Sequence, residues 1–247
     1  MLKRLRADHP ILYCILAEVL FLGSLFLSSL VLTVALMAAG ADFSGLDEYL
    51  LSLIQELVGM YPLAFICYSI YSALIFERPD TPLLPAGRIL SFLACMAMVG
   101  VAEEFLFRGV IAETLLEHFG TSRAGVWKAC LLSGVLFGAA HLTNLSSSAP
   151  FGVLMQCAFS ASLGALFAAI YFRTGNLWVT VFLHGAMDIA SMLIGGLYGT
   201  TTLSESVSGY DASMLLTVVV YLLPVAFLLR KKKLPEVQLY WGAYTQK

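Results

Sequence analysis

Apolar residues in this chain run for about 20 to 30 positions at a stretch, which is the length an α-helix needs to cross a bilayer. The runs cover approximately residues 11–38, 49–76, 88–118, 124–142, 151–172, 177–196 and 213–229. Between them lie breakers: Asp42 to Asp47 with Gly45, Pro79 to Pro85, Gly120-Thr121-Ser122, Ser146 to Pro150, Thr174-Gly175-Asn176, and Ser204 to Asp211. With 60% hydrophobic and 12% charged residues, the chain has too few polar side chains to cover a soluble globule of its length. The expected fold is all-α, a polytopic transmembrane helix bundle of about eight helical elements. Residues 1–247 form a single membrane domain on this reading, with a core over 88–195 and flanking helices and tail over 1–87 and 196–247.

Charge distribution says more than net charge. Lys3, Arg4 and Arg6 cluster at one end, and Arg230 with Lys231, Lys232 and Lys233 near the other. Such clusters hold cytoplasmic faces by the positive-inside rule, and no nucleic-acid partner is expected. Seven straight crossings put the two ends on opposite sides. Arg78 and Arg88 before the 88–118 run, and Arg123 and Lys128 after it, favour the same side. A break near Glu103 and Glu104 removes the conflict and predicts eight elements with both termini cytoplasmic; the alternative is a long tilted helix that projects into water. Trp178, Trp241 and several tyrosines fit interfacial anchors, and the tail after Lys233 reads as an interfacial or disordered end. The first run is too long for a signal-peptide core and reads as a retained helix. Cys14, Cys67, Cys95, Cys130 and Cys157 lie in apolar segments without CxxC spacing, so they read as packing residues.

Glu103, Glu104, Arg108, His141, His184 and Asp188 stand inside otherwise apolar sequence. An ionisable group at a bilayer centre costs roughly 2.5–3.5 kcal/mol, so such residues mark a functional site by default. Glu104 and Arg108 are one turn apart and can pair; Glu103 is turned away from that pair by about 100°. A carboxylate left without a cation in a low-dielectric site suits acid or base work, which makes Glu103 the candidate base. Asp188 follows His184 by one turn and can hold the imidazole tautomer. Glu113 and Glu117 read as lining a wetted face, and His9 and His118 as solvated.

Three segments, Glu103-Glu104-Phe-Leu-Phe-Arg108, Phe137-Gly-Ala-Ala-His141 and His184-Gly-Ala-Met-Asp188, resemble the E-E-x-x-x-R, F-x-x-x-H and H-x-x-x-[ND] motifs of the CAAX-protease and bacteriocin-processing (CPBP, or Abi) family. The resemblance covers about residues 88–195 and includes Gly164-Ala-Leu-Phe and Thr174-Gly-Asn-Leu-Trp178. It implies an intramembrane endopeptidase of about eight helices. In that family's pattern Glu103 and His141 activate a water, while His184, with the residue at 188, stabilises the oxyanion. Family members often carry Asn at the last position; Asp188 cannot donate when ionised, so orienting His184 is its expected role. No cofactor is favoured. The alternative is a divalent metal such as zinc on Glu103, His141, His184 and Asp188, although H-E-x-x-H is absent. Expected partners are the lipid bilayer and a substrate: a prenylated C-terminus, a bacteriocin or signalling-peptide precursor, or a membrane-protein segment. The competing functions are a non-proteolytic membrane scaffold, immunity factor or regulator on the same fold, and, behind it, a proton-coupled transporter.

Overall fold

A computed structural model describes residues 79–242, together with Ile70. The runs expected over 11–38 and 49–76 lie outside the described residues apart from Ile70, as does the N-terminal basic cluster. The described chain is all-α: every regular element is helical and no strand occurs among the described residues.

Helix α1 (Ala86–Leu106) passes through a π-helical turn (Phe107–Ala112) into α2 (Glu113–Phe119). Helix α3 (Arg123–Ala140) starts where the Ser122 hydroxyl accepts the Gly125 N–H, and it tightens into a 3₁₀ turn (His141–Ser146). Helix α4 (Pro150–Thr174) opens with Pro150 in its first turn. It ends at Gly175, whose φ of 61° is the left-handed conformation that glycine reaches without strain. Helix α5 (Leu177–Ser191) and the short α6 (Leu193–Tyr198) follow, then α7 (Leu203–Ser208), α8 (Met214–Leu228) and α9 (Leu234–Trp241). Ala86–Phe119, Arg123–Ser146 and Pro150–Thr174 are each long and apolar enough to cross a membrane, and α8 joined to residues 231–241 forms a bent fourth candidate. This is a membrane protein by its helices.

The break expected near Glu103 and Glu104 is not there. The helix runs unbroken through both carboxylates, and Ala86–Phe119 is one element of 34 residues. Two physical reasons account for the difference. Backbone groups in hydrocarbon must stay bonded, which favours a continuous helix. Glu104 also finds its cation, Arg108, one turn on in the same element, so its charge needs no unwinding to be met. At about 50 Å the element exceeds a ~30 Å hydrocarbon core, and the surplus belongs to tilt or to projection into water. The topology with both termini on one side does not follow without that break. The tail after Lys233 is also more ordered than expected, being helix α9 up to Trp241.

The described residues divide into two compact units. One comprises residues 79–96 and 186–200; the other comprises 97–185 and 201–242. In the first, the Leu84 N–H donates to the Leu197 carbonyl at 2.8 Å, and Phe92 lies where a side chain at Gly196 would be. The second is built around α4, of whose most apolar stretch 72% is buried. Small residues let α3 approach it closely: side chains at Gly134 and Gly138 would run into the backbone of Ala161 and Cys157. Helices α8 and α9 pack against the same helix.

Candidate active site

Within the larger unit, the second half of α1 meets the first half of α5 at two glycines. A Cβ at Gly100 would come within 2.8 Å of the Gly185 nitrogen, so the helices approach at backbone distance. This approach sets Glu104 against His184. The His184 Nδ1–H donates to Glu104 Oε1 at 2.8 Å, and the same oxygen lies 2.9 Å from Arg108 Nη1. Glu104 and Arg108 are fully buried and His184 nearly so.

Arg108 is fixed from three more directions. Its Nη2 donates to the Gly164 carbonyl on α4 at 3.1 Å. Its guanidinium lies 4.5 Å from the Phe137 ring centroid and 5.3 Å from that of Phe167, so two aromatic faces take its remaining charge. Gly164 admits this arrangement because a Cβ there would stand 2.9 Å from Phe137 Cδ1. The Arg108 contact with Glu104 is an ion pair and not an aligned hydrogen bond. Glu104 Oε2 and Arg108 Nε are buried without a hydrogen-bond partner among the described residues.

Glu103 points elsewhere, as its offset around the helix requires. Its side chain is 35% exposed and its Oε2 lies 3.7 Å from His184 Nε2. The His184 ring therefore has Glu104 on one nitrogen and Glu103 near the other. His141, at the junction of α3 and the 3₁₀ turn, donates from Nδ1 to the Phe137 carbonyl at 3.0 Å. That bond leaves Nε2 as its basic nitrogen. Phe137 joins the two imidazoles, its ring centroid 5.2 Å from that of His141 and 5.6 Å from that of His184. Arg108, His141 and His184 thus gather around Phe137 in one unit, and Glu104 and Glu103 reach His184. Asp188 lies on α5 one turn beyond His184, half-buried, and its residue belongs to the other unit.

Other candidates lie outside this group. Glu113 is bonded to the Tyr171 hydroxyl, a partner that the sequence reading of a wetted face does not include. Glu117 and His118 are exposed, and the His118 ring rests edge-on against Phe119. Cys130 is buried with its thiol donating to the Ala165 carbonyl at 3.1 Å, whereas Cys95 is exposed. Three contributors escape sequence reasoning: the Gly164 carbonyl, the Phe167 face, and Glu104 as a partner of His184. The last is separated from His184 by 80 positions, and no local spacing announces it.

A metal would need three or more donors converging. No such group of His, Cys, Asp or Glu occurs among the described residues. Glu104 Oε1 is shared by Arg108 and His184, and each histidine commits Nδ1 and keeps Nε2 open. No step below passes through a metal. What these side chains can do is hold and move a proton between a half-exposed carboxylate and two oriented imidazoles.

Residues 85–190 match the family model Rce1-like, described as Type II CAAX prenyl endopeptidase Rce1-like. The match is consistent with the CAAX-protease and bacteriocin-processing family. No curated protein and no solved structure matches the chain.

Proposed function

We propose, with the Rce1-like domain at residues 85–190 as premise, that this membrane protein is an endopeptidase using Glu103 as general base. One observation carries the reading: two consecutive carboxylates address the two nitrogens of one buried imidazole, Glu104 at 2.8 Å and Glu103 at 3.7 Å. Their unlike surroundings divide the work. Glu104, fully buried and paired, orients His184; Glu103, partly exposed, is free to exchange a proton.

In this mechanism Glu103 takes a proton from water as the water oxygen bonds to the scissile carbonyl carbon. His141 Nε2 accepts a hydrogen bond from the same water. A water seated beside Glu103 Oε2 and His184 Nε2 can reach both at about 2.8 Å, since those atoms are 3.7 Å apart. In this mechanism His184 acts as a doubly protonated imidazolium, its Nδ1–H held by Glu104 and its Nε2–H donating to the developing oxyanion. Glu103 returns its proton to the amine nitrogen as the C–N bond breaks, so water is added across the peptide bond. Arg108, fully buried, does not touch the substrate; its part is to hold Glu104 in place.

The chemistry suits a prenylated C-terminal peptide as the first substrate to try. Two quenched fluorescent peptides ending in Cys-aliphatic-aliphatic-X, one farnesylated and one not, are offered to the protein in lipid nanodiscs. Wild type is expected to cleave the farnesylated peptide. Glu103→Gln and His141→Ala are expected to lose about 10²- to 10⁴-fold, the usual worth of a positioned acid–base group. Variants that cleave as wild type does would remove the proposal, and a scaffold would show no cleavage at all. Repeating the assay after chelation, with metal content measured, tests the metal-free reading separately.

A further inference from the structure

A helix is closed to hydrolysis because its scissile amide is wrapped and hydrogen-bonded. A peptide cut within or beside a membrane must be extended, and its freed N–H and C=O groups then have no water to bond. The protein has to supply partners. In the larger unit, one carboxamide pair lies within a turn of His141.

The 3₁₀ turn His141–Ser146 repeats every three residues, so positions i and i+3 eclipse. Exposure follows that period: His141 and Asn144 are half-buried, while Leu142, Thr143, Leu145 and Ser146 are exposed. Asn144 therefore shares an edge with His141, displaced by about 6 Å along the turn at 2.0 Å per residue. Two residues of an extended peptide cover about the same distance, at ~3.3 Å each. The Asn144 side chain is also held. Its Nδ2 donates at 2.8 Å to Oε1 of Gln156, which is 7% exposed on α4. One N–H is spent on that bond, leaving Oδ1 and the second N–H of Asn144 open to a ligand. A carboxamide offers both a donor and an acceptor, the pairing that an extended backbone demands.

We propose that Asn144, oriented by Gln156, is a substrate-positioning residue that pairs with the peptide backbone about two residues from the bond cleaved. The assignment rests on the endopeptidase reading above. It adds a backbone-positioning contact that none of the three motifs contains, and it requires no particular side chain from the substrate at that position.

The test uses the farnesylated peptide and a set of twins in which one backbone amide at a time, on either side of the cut, is replaced by an ester. Asn144→Leu is expected to raise KM about tenfold with kcat little changed, the signature of lost uniform binding. In wild type, the ester two residues from the cut is expected to cost about tenfold in kcat/KM, roughly one hydrogen bond. The same ester should cost Asn144→Leu nothing further, whereas Asn144→Asp, which keeps an acceptor, should retain the penalty. Equal ester penalties in wild type and Asn144→Leu overturn the proposal, as do unchanged kinetics in Asn144→Leu. Should Asn144→Leu fail to fold, Asn144→Asp and Gln156→Leu decide: the first must keep the ester penalty and the second must weaken it. A wild-type protein inert toward the amide peptide while properly folded removes the endopeptidase reading, and this inference falls with it. An active wild type without the ester effect removes this inference alone.

Discussion

Two arginine–carboxylate clusters hang on α4, and they are built from the same parts. Arg108 bonds the Gly164 carbonyl and pairs with Glu104; Arg173 bonds the Leu228 carbonyl at 2.9 Å and pairs with Glu236. Their surroundings differ. Arg108 and Glu104 are wholly enclosed, whereas Glu236 is 36% exposed and shared with Lys233. The second cluster pins a tail: Arg173 and Lys233 grip α9, Trp241 Nε1–H donates to the Phe172 carbonyl at 3.0 Å, and Gln238 donates to the Thr121 carbonyl. The first cluster ends on an imidazole, and beyond it stands a second carboxylate. An ion pair in an apolar protein is thus no mark of chemistry by itself. In the proposed mechanism the oriented histidine and the second carboxylate beside it make the distinction.

The contrast is broken most sharply by removing each arginine's function. Arg108→Leu leaves Glu104 as an enclosed, unpaired charge and is expected to cost about 3–5 kcal/mol of stability. Thermal unfolding in nanodiscs should show this loss, and cleavage should fall with it because His184 is no longer held. Glu104→Gln combined with Arg108→Leu should recover part of the stability without the activity. Equal stability for wild type and Arg108→Leu would mean that this cluster is as dispensable as the other. Glu236→Ala is expected to cost about 0.2–1 kcal/mol, the usual range for an exposed pair, with cleavage close to wild type. Cleavage lost at constant stability in Glu236→Ala would put chemistry in the second cluster and erase the distinction.

The smallest effect lies at the cap of α7, away from both clusters. Thr202 and Glu205 form a reciprocal capping box, with Thr202 N and Oγ1 bonding Glu205 Oε2 at 2.7 and 2.9 Å. These hydrogen bonds, the backbone one first, hold the Glu205 carboxyl below its ordinary value. The stabilisation is therefore present above the ordinary carboxylate range and is lost as pH falls through the folded value. Thr202→Ala should flatten that acid-side slope slightly, read as the change of unfolding midpoint with pH, and leave cleavage untouched. An unchanged slope would show that the side-chain bond contributes nothing.

Much of this was legible along the chain because it is local. The described span bounds fall within a few residues of the apolar runs, since a backbone in hydrocarbon stays bonded only as a helix. Glu104 reaches Arg108 because four residues are about one turn, and Glu103 turns aside for the same reason. His184 meeting Glu104 was not legible. It depends on two backbones touching at Gly100 and Gly185, which is a property of packing between helices distant in sequence. The break expected at Glu103 fails for a different reason. Loop charges report sidedness only statistically, and the local Glu104–Arg108 pair, which meets the charge inside an unbroken helix, carries more weight than they do. Helix α9 is missed because its order comes from Arg173 and Phe172 on α4 and not from its own short sequence.

The π-helical turn at Phe107–Ala112 acts as a phase joint in the long element. Such a turn carries one residue more than an α-helix needs. Removing one there would rotate everything downstream by about 100°. Glu113 would swing off Tyr171, while Glu103 and Glu104, upstream of the joint, would keep their aim. The polar groups upstream and the anchoring contacts downstream can therefore be re-indexed independently, by adding or losing a single codon.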